Sequence, residues 1–177
     1  MTDLDGLWVA DRARQNEAYE RVMAATRDAA VPWADALWPV AVARLGDADN
    51  HSRAIAAQVL CNLAAHDRSG RIAGDLDALI EVTRDPRFVT ARHCLRALWR
   101  IGLAGDVERA LIVAALGRRY REAATEKNGT LIRSDIIESL RLLRDATADP
   151  AVEPLARELI ALEDDPKYRK KYAGHWR

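Results

Sequence analysis

Three arginines, Arg92, Arg96 and Arg100, recur every four residues in the stretch between Thr90 and Gly102. In a helix, residues advance about 100° each, so this spacing lays the three along one side. Cys94, Leu95, Leu98 and Ile101 then gather on the opposite side, with Trp99 at the boundary between the two. A row of guanidinium groups can hold phosphates or form the centre of a polar groove for a partner. Similar windows occur upstream, from Ser52 to Ala64, and downstream, from Ile132 to Leu143. Superposing their leucines places Gln58 and Glu138 at the position of Arg96. It also places Asn62 and Leu142 at the position of Arg100. The candidate binding face is therefore Gln58, Asn62, Arg92, Arg96, Trp99, Arg100 and Glu138.

The chemistry of this ladder is mixed. A groove for a phosphate backbone repeats positive charge in adjacent layers, because affinity comes from neutralising several phosphates. Here an amide and a carboxylate flank the arginine. Such a ladder suits a peptide or a folded protein better, and arginine beside tryptophan is a composition favoured at interface hot spots. The plainer account makes the arginines the solvated side of an amphipathic helix and Trp99 a core-edge aromatic.

Catalytic patterns are absent from the sequence. His51, His66, His93 and His175 are dispersed, and no HExxH, GxSxG or glycine-rich phosphate loop occurs. Asp135 and Glu138 stand three apart on one helix and could imitate paired carboxylates, but surface charge accounts for them. Cys61 and Cys94 belong to no CxxC pair and read as small core residues of a reduced protein. No catalytic residue, metal site or cofactor is expected. Lysine plus arginine (27) balances aspartate plus glutamate (27) across 177 residues, which disfavours a dedicated nucleic-acid or membrane-surface protein.

These side chains require helices to position them. Alanine, leucine, arginine and glutamate dominate, and all four favour helix. Leu4, Leu7 and Trp8 suggest a short first helix; Asp11 caps a second bearing Ala18, Val22 and Ala25. A helix from about Trp33 to Leu45 carries Trp33, Leu37, Val40 and Ala41 as its stripe, with Pro39 kinking it. Further helices run from about Asn50 to Ala65, around Leu76, Leu79 and Ile80, and from about Pro86 to Leu103. The next, about Val107 to Glu126, carries Ala110, Leu111, Ala114, Ala115 and Tyr120. Lys127-Asn128-Gly129-Thr130 is the strongest turn signal. A helix with Ile136, Ile137, Leu140 and Leu143 follows, then a pair from Pro150 to Leu162 and from Lys167 to Trp176. In that last segment basic residues alternate with Tyr168, Tyr172 and Trp176. The three aromatics, spaced by four, would seal the open end of the core. The alternation could also hold nucleic acid.

Arg53, Arg92 and Arg133, which open the three similar windows, lie 39 and 41 residues apart. Paired-helix repeats recur at about 40–47 residues. The phrases Asp85-Pro86-Arg87-Phe88-Val89-Thr90-Ala91-Arg92 and Ser52-Arg53-Ala54-Ile55-Ala56 look like the proline- or aspartate-led turn and arginine-alanine opening of HEAT repeats. From about Trp33 onward the chain resembles small stand-alone bacterial HEAT-repeat (ARM/HEAT-like) proteins, which end in a segment similar to Asp165-Pro166-Lys167-Tyr168-Arg169-Lys170-Lys171-Tyr172. The resemblance implies an all-α fold: a short right-handed α-solenoid of about four antiparallel helix pairs. It would be a single domain over 1–177, with N-terminal capping helices in 1–32, repeats in 33–165 and a C-terminal capping helix in 166–177.

In such solenoids the second helix of each pair usually lines the concave binding surface. The expected function is a non-catalytic scaffold that binds an unidentified protein or peptide there. The alternative is a nucleic-acid binder similar to HEAT-like DNA alkylpurine glycosylases, for which Asp135, Glu138 and Trp99 are the available parts. No stretch reaches the ~18 apolar residues of a membrane span. The acidic opening lacks a leader pattern, so a soluble cytoplasmic protein is expected.

Overall fold

The computed structural model describes residues 4–177, so residues 1–3 of the acidic opening lie outside the described residues. Nine α-helices follow one another among those described: α1 (Arg12–Thr26), α2 (Ala34–Arg44), α3 (Asn50–Ala64), α4 (Ile72–Val82), α5 (Phe88–Ala97), α6 (Asp106–Glu122), α7 (Gly129–Thr147), α8 (Val152–Ala161) and α9 (Pro166–Gly174). Short 3₁₀ turns cover Asp5–Trp8, Leu98–Leu103 and Ala123–Thr125. No strand occurs among the described residues, and no helix there is long and apolar enough to cross a membrane.

Aspartates cap the starts of α1, α3 and α9. Asp11 accepts from the Ala13 and Arg14 amides, Asp49 from the Ser52 amide and Asp165 from the Lys167 amide. Each satisfies orphan donors of a first turn while placing a negative charge at the positive end of the helix dipole.

The chain forms two compact units, the first ending at Cys94 and the second beginning at Leu95. In the first, α1, α2 and α4 each pack on α3. Its centre is built from Leu37, Trp38, Val59, Leu60, Leu79 and Cys94, all nearly or wholly buried. Arg53 of α3 forms a bidentate ion pair with Asp85, just ahead of α5. The Asp85 side chain is only 2% exposed, so this pair is a structural part of the interior. In the second unit α7 packs against α6, α8, α9 and the Leu98–Leu103 turn. Tyr172 of α9 meets Tyr120 of α6 edge-on at 6.3 Å and donates to the Thr130 carbonyl at 2.8 Å. Trp176 is buried as well, whereas Tyr168 is half-buried.

Several helix faces are rotated relative to expectation. In α2 the buried pair is Leu37 and Trp38, while Val40 is 41% exposed and Trp33 stands at the helix start. Trp38 can be buried because its indole N–H donates to Asp75 at 2.8 Å, satisfying its one polar atom. In α1 the buried series is Ala18, Val22 and Thr26, and Ala25 is exposed. Thr26 returns its hydroxyl hydrogen to the Val22 carbonyl, which makes it as easy to bury as an alanine. In α6 the inward residues are Ile112, Ala115, Leu116 and Tyr120; Ala110 and Ala114 face outward. Asp135 is 2% exposed, so it is an interior residue and not the surface charge expected of it.

The expected central helix is two pieces. Its α-helical turns stop at Ala97, and Leu98–Leu103 continues as a 3₁₀ coil. The close approach of Gly102 to the Leu143 side chain, where a Cβ would sit too near, accompanies the change. Three residues per turn replace 3.6, so a four-residue spacing no longer keeps Arg100 in line with Arg96.

Candidate functional site

A cleft of about 360 Å³ opens in the first unit between the starts and inner faces of α1, α3 and α5. Each wall follows from a local cause. Arg12, at the first position of α1, directs Nη1 and Nη2 onto the Asp49 carboxylate at 2.9 and 2.8 Å. Asp49 is also the cap of α3, so one carboxylate aligns two helix starts. The Arg12 guanidinium holds the Asp49 carboxyl far below the usual carboxylate range, with the Ser52 amide and hydroxyl adding to the effect. Reciprocally, that bond raises the Arg12 pKa, and Arg12 stays cationic.

Further in, Tyr19 donates its hydroxyl hydrogen to Gln58 Oε1 at 2.9 Å, and Gln58 Nε2 donates to the Ala54 carbonyl at 3.0 Å. Burial, helped by the charge of Glu20, raises the Tyr19 pKa, so the phenol remains a neutral donor. Across the cleft, the Thr90 hydroxyl of α5 bonds the Asn50 carbonyl of α3 at 3.3 Å. Val89, on the α5 wall, is 65% exposed.

The polar groups on these walls are unevenly committed. Gln15 is engaged at both ends of its amide, donating to the Leu7 carbonyl and accepting from Arg12. By contrast, the side chains of Asn16, Asn50 and His51 line the cleft with no hydrogen bond or ion pair to any described residue. Of the five donors of Arg12, three are used on Gln15 and Asp49. Its Nε–H and one Nη2–H remain open, on a side chain that is half exposed.

The residues expected on the binding face are distributed between the two units. In the first, Gln58 lines the cleft as described. Asn62 lies beneath the surface, 2% exposed, donating to the Thr26 hydroxyl at 3.0 Å. Arg92 is half-buried, with its guanidinium 5.9 Å from the centre of the Phe88 ring. In the second unit, Arg96 is exposed and pairs with Glu138 at 3.4 Å. Trp99 and Arg100 lie together in the 3₁₀ coil, the guanidinium 5.4 Å from the ring centre.

Arg12, Asn16 and Tyr19 escaped the sequence reading because residues 1–32 read as a cap, and His51 was read only as one of four dispersed histidines. A usable signal was present: Tyr19 precedes Gln58 by 39 residues, the same interval that separates Arg53 from Arg92.

Ser134 Oγ and His175 Nε2 stand 3.2 Å apart, a nucleophile–base geometry. Ser134 is 6% exposed, and the neighbouring Arg141 binds the His175 carbonyl while lying over the Trp176 ring. Together these contacts fasten the C-terminal segment to α7. Among the described residues no group of three or more histidine, cysteine or acidic side chains could hold a metal ion. Compared with protein-family models and with curated proteins, the chain matches none.

Proposed function

We propose that this protein is a cytoplasmic, non-catalytic binding module of HEAT type, a short right-handed solenoid whose second helices receive an extended segment of a protein partner. Inside each unit, side-chain bonds join residues about one repeat apart, which supports stacked helix pairs. Trp38–Asp75, Tyr19–Gln58 and Thr90–Asn50 span 37, 39 and 40 residues in the first unit. Arg109–Asp149 and Arg96–Glu138 span 40 and 42 in the second. Cys61 and Cys94 are buried and joined in no disulfide, which fits a reducing compartment.

The observation that carries the reading is the cleft between α1, α3 and α5, with uncommitted Asn16, Asn50 and His51 beside exposed Val89. A side-chain amide offers two donors and an acceptor. An extended peptide presents N–H and C=O groups in alternation, and two amides on facing helices answer both. Val89 and the Ile55 side chain supply apolar contact for a residue projecting between them.

The test is a selection of displayed random peptides on the wild-type chain and on an Asn16→Trp/Val89→Trp variant. Both positions are exposed, so folding should survive within ~0.5 kcal/mol, while the indoles close the mouth of the cleft. Enrichment on the wild type alone is expected. Failure to enrich any pool, or equal enrichment on the blocked variant, removes this reading. Salt-sensitive retention on DNA by the wild type, lost on blocking the cleft, would replace it with nucleic-acid binding.

A further inference from the structure

The charge around the cleft narrows what can occupy it, given the peptide-binding reading above. None of the side chains lining it is aspartate or glutamate, although the whole chain has 27 acids against 27 bases. Arg12 stays ionised there with Asp49 as its counter-ion, and His51 and His93 line the same cleft. Of the carboxylates beside the lining residues, Asp11 caps α1 and Glu17 pairs with Arg21 at 2.8 Å, so neither competes for a ligand. Asp49 is consumed by Arg12 and by the Ser52 amide and hydroxyl. Glu20 follows Tyr19 on α1, about 100° around the helix from it, and is exposed to solvent.

Donors also outnumber acceptors among the uncommitted groups. Arg12 keeps two N–H groups, and each of Asn16 and Asn50 keeps two amide hydrogens. His51 supplies a ring N–H in either tautomer. Asp49 holds the Arg12 fork in position, so its remaining donors are oriented before any ligand arrives. A lysine-bearing segment would face Arg12 with only neutral amide oxygens to receive its charge. A carboxylate would accept from Arg12 and from neighbouring amides without displacing an existing bond.

We infer that the cleft of the first unit is a receptor for an acidic peptide segment, in which an aspartate or glutamate carboxylate binds the open donors of Arg12 and the His51 ring while a flanking apolar residue rests on Val89. This reading places the recognised acid at the start of α3, near its positive dipole end, and the rest of the segment along Asn16 and Gln58.

The experiment uses individual fluorescein-labelled peptides from the selected pool, measured by anisotropy against the full chain. Each is compared with its twin in which every Asp or Glu is replaced by Asn or Gln. The amide twin is expected to bind about tenfold or more weakly, the usual value of one charge-assisted bond. His51→Ala and Arg12→Gln should each weaken the acidic peptide severalfold and leave the amide twin nearly unchanged. His51 makes no bond inside the protein, so that variant keeps the test valid even if Arg12→Gln disturbs the helix starts. A pool free of acids, or twins of equal affinity, overturns the acidic specificity and leaves peptide binding standing. Absence of any pool removes both.

Discussion

Tyr19 of α1 donates its phenolic hydrogen to Gln58 of α3 across 39 residues of sequence, at 2.9 Å. The bond fixes the Gln58 amide so that Nε2 faces the Ala54 carbonyl, and it forms the inner wall of the cleft. Tyr19→Phe removes the donor and leaves Gln58 Oε1 half-buried without it. The expected cost is about 0.5–1.5 kcal/mol, read as a shift of the urea midpoint with an unchanged slope. An unshifted midpoint would mean that the contact contributes nothing to packing α1 on α3.

The Arg53–Asp85 pair should behave as a buried ion pair. Its two side chains are 15% and 2% exposed. Arg53→Met strands the Asp85 carboxylate and should cost about 3–5 kcal/mol, while Arg53→Met/Asp85→Leu should recover most of that loss. The measurement is a double-mutant cycle by denaturant unfolding. Additive single and double losses would show that the two charges are not coupled.

Tyr120 should break the rule that losing a polar group destabilises. Its hydroxyl is buried with no hydrogen-bond partner, and burial pushes its pKa up to about 12 from an ordinary 10. Tyr120→Phe deletes an unsatisfied group, so stability at neutral pH should hold or rise by up to about 1 kcal/mol. The alkaline limb should change too. Because the folded pKa is raised, the unfolded chain ionises first, and stability falls as pH rises from about 10 through about 12. The variant should lose less stability than the wild type over that window in thermal melts.

Two glycines should respond in opposite directions to alanine. A Cβ on Gly129, at the start of α7, would collide with the Ala123 carbonyl oxygen, a backbone atom that cannot swing aside. Gly129→Ala should therefore cost more than about 2 kcal/mol, beyond an ordinary point substitution. Gly74, inside α4, has open space around its Cβ position, and Gly74→Ala should stabilise by about 0.5–1 kcal/mol through helix propensity. Differential scanning calorimetry of the two variants resolves the sign.

Acid should loosen the first unit through its capping aspartates. Asp49 is held below its ordinary value by the Arg12 hydrogen bond, and the Asp47 pKa is lowered by the Asp49 amide and by Arg44. A depressed folded pKa means that the unfolded chain takes up protons first. The stability these groups supply is complete above the ordinary value of 3.8 and drains away as pH falls below it. Asp49→Asn should be less stable at neutral pH and show a flatter acid limb in thermal melts.

Sequence alone determined that this chain is helical, where most of its helices begin and which residues form the centre of several of them. Those features are local: an aspartate three residues before an amide caps a helix wherever it stands, and Leu60, Cys94, Leu98, Ile136 and Leu140 repeat at a spacing that only a helix turns into one face. Tertiary packing decided the rest. Helical period alone did not show that Trp38 would be buried in place of Trp33, because that depends on Asp75, 37 residues away, receiving its indole hydrogen. Asp135 and Asn62 looked like surface groups because sequence does not show what surrounds a polar side chain. The uncommitted donors of Arg12, Asn16 and His51 became visible only once α1, α3 and α5 were seen to share a cleft, since whether a side chain is free is a property of its neighbours.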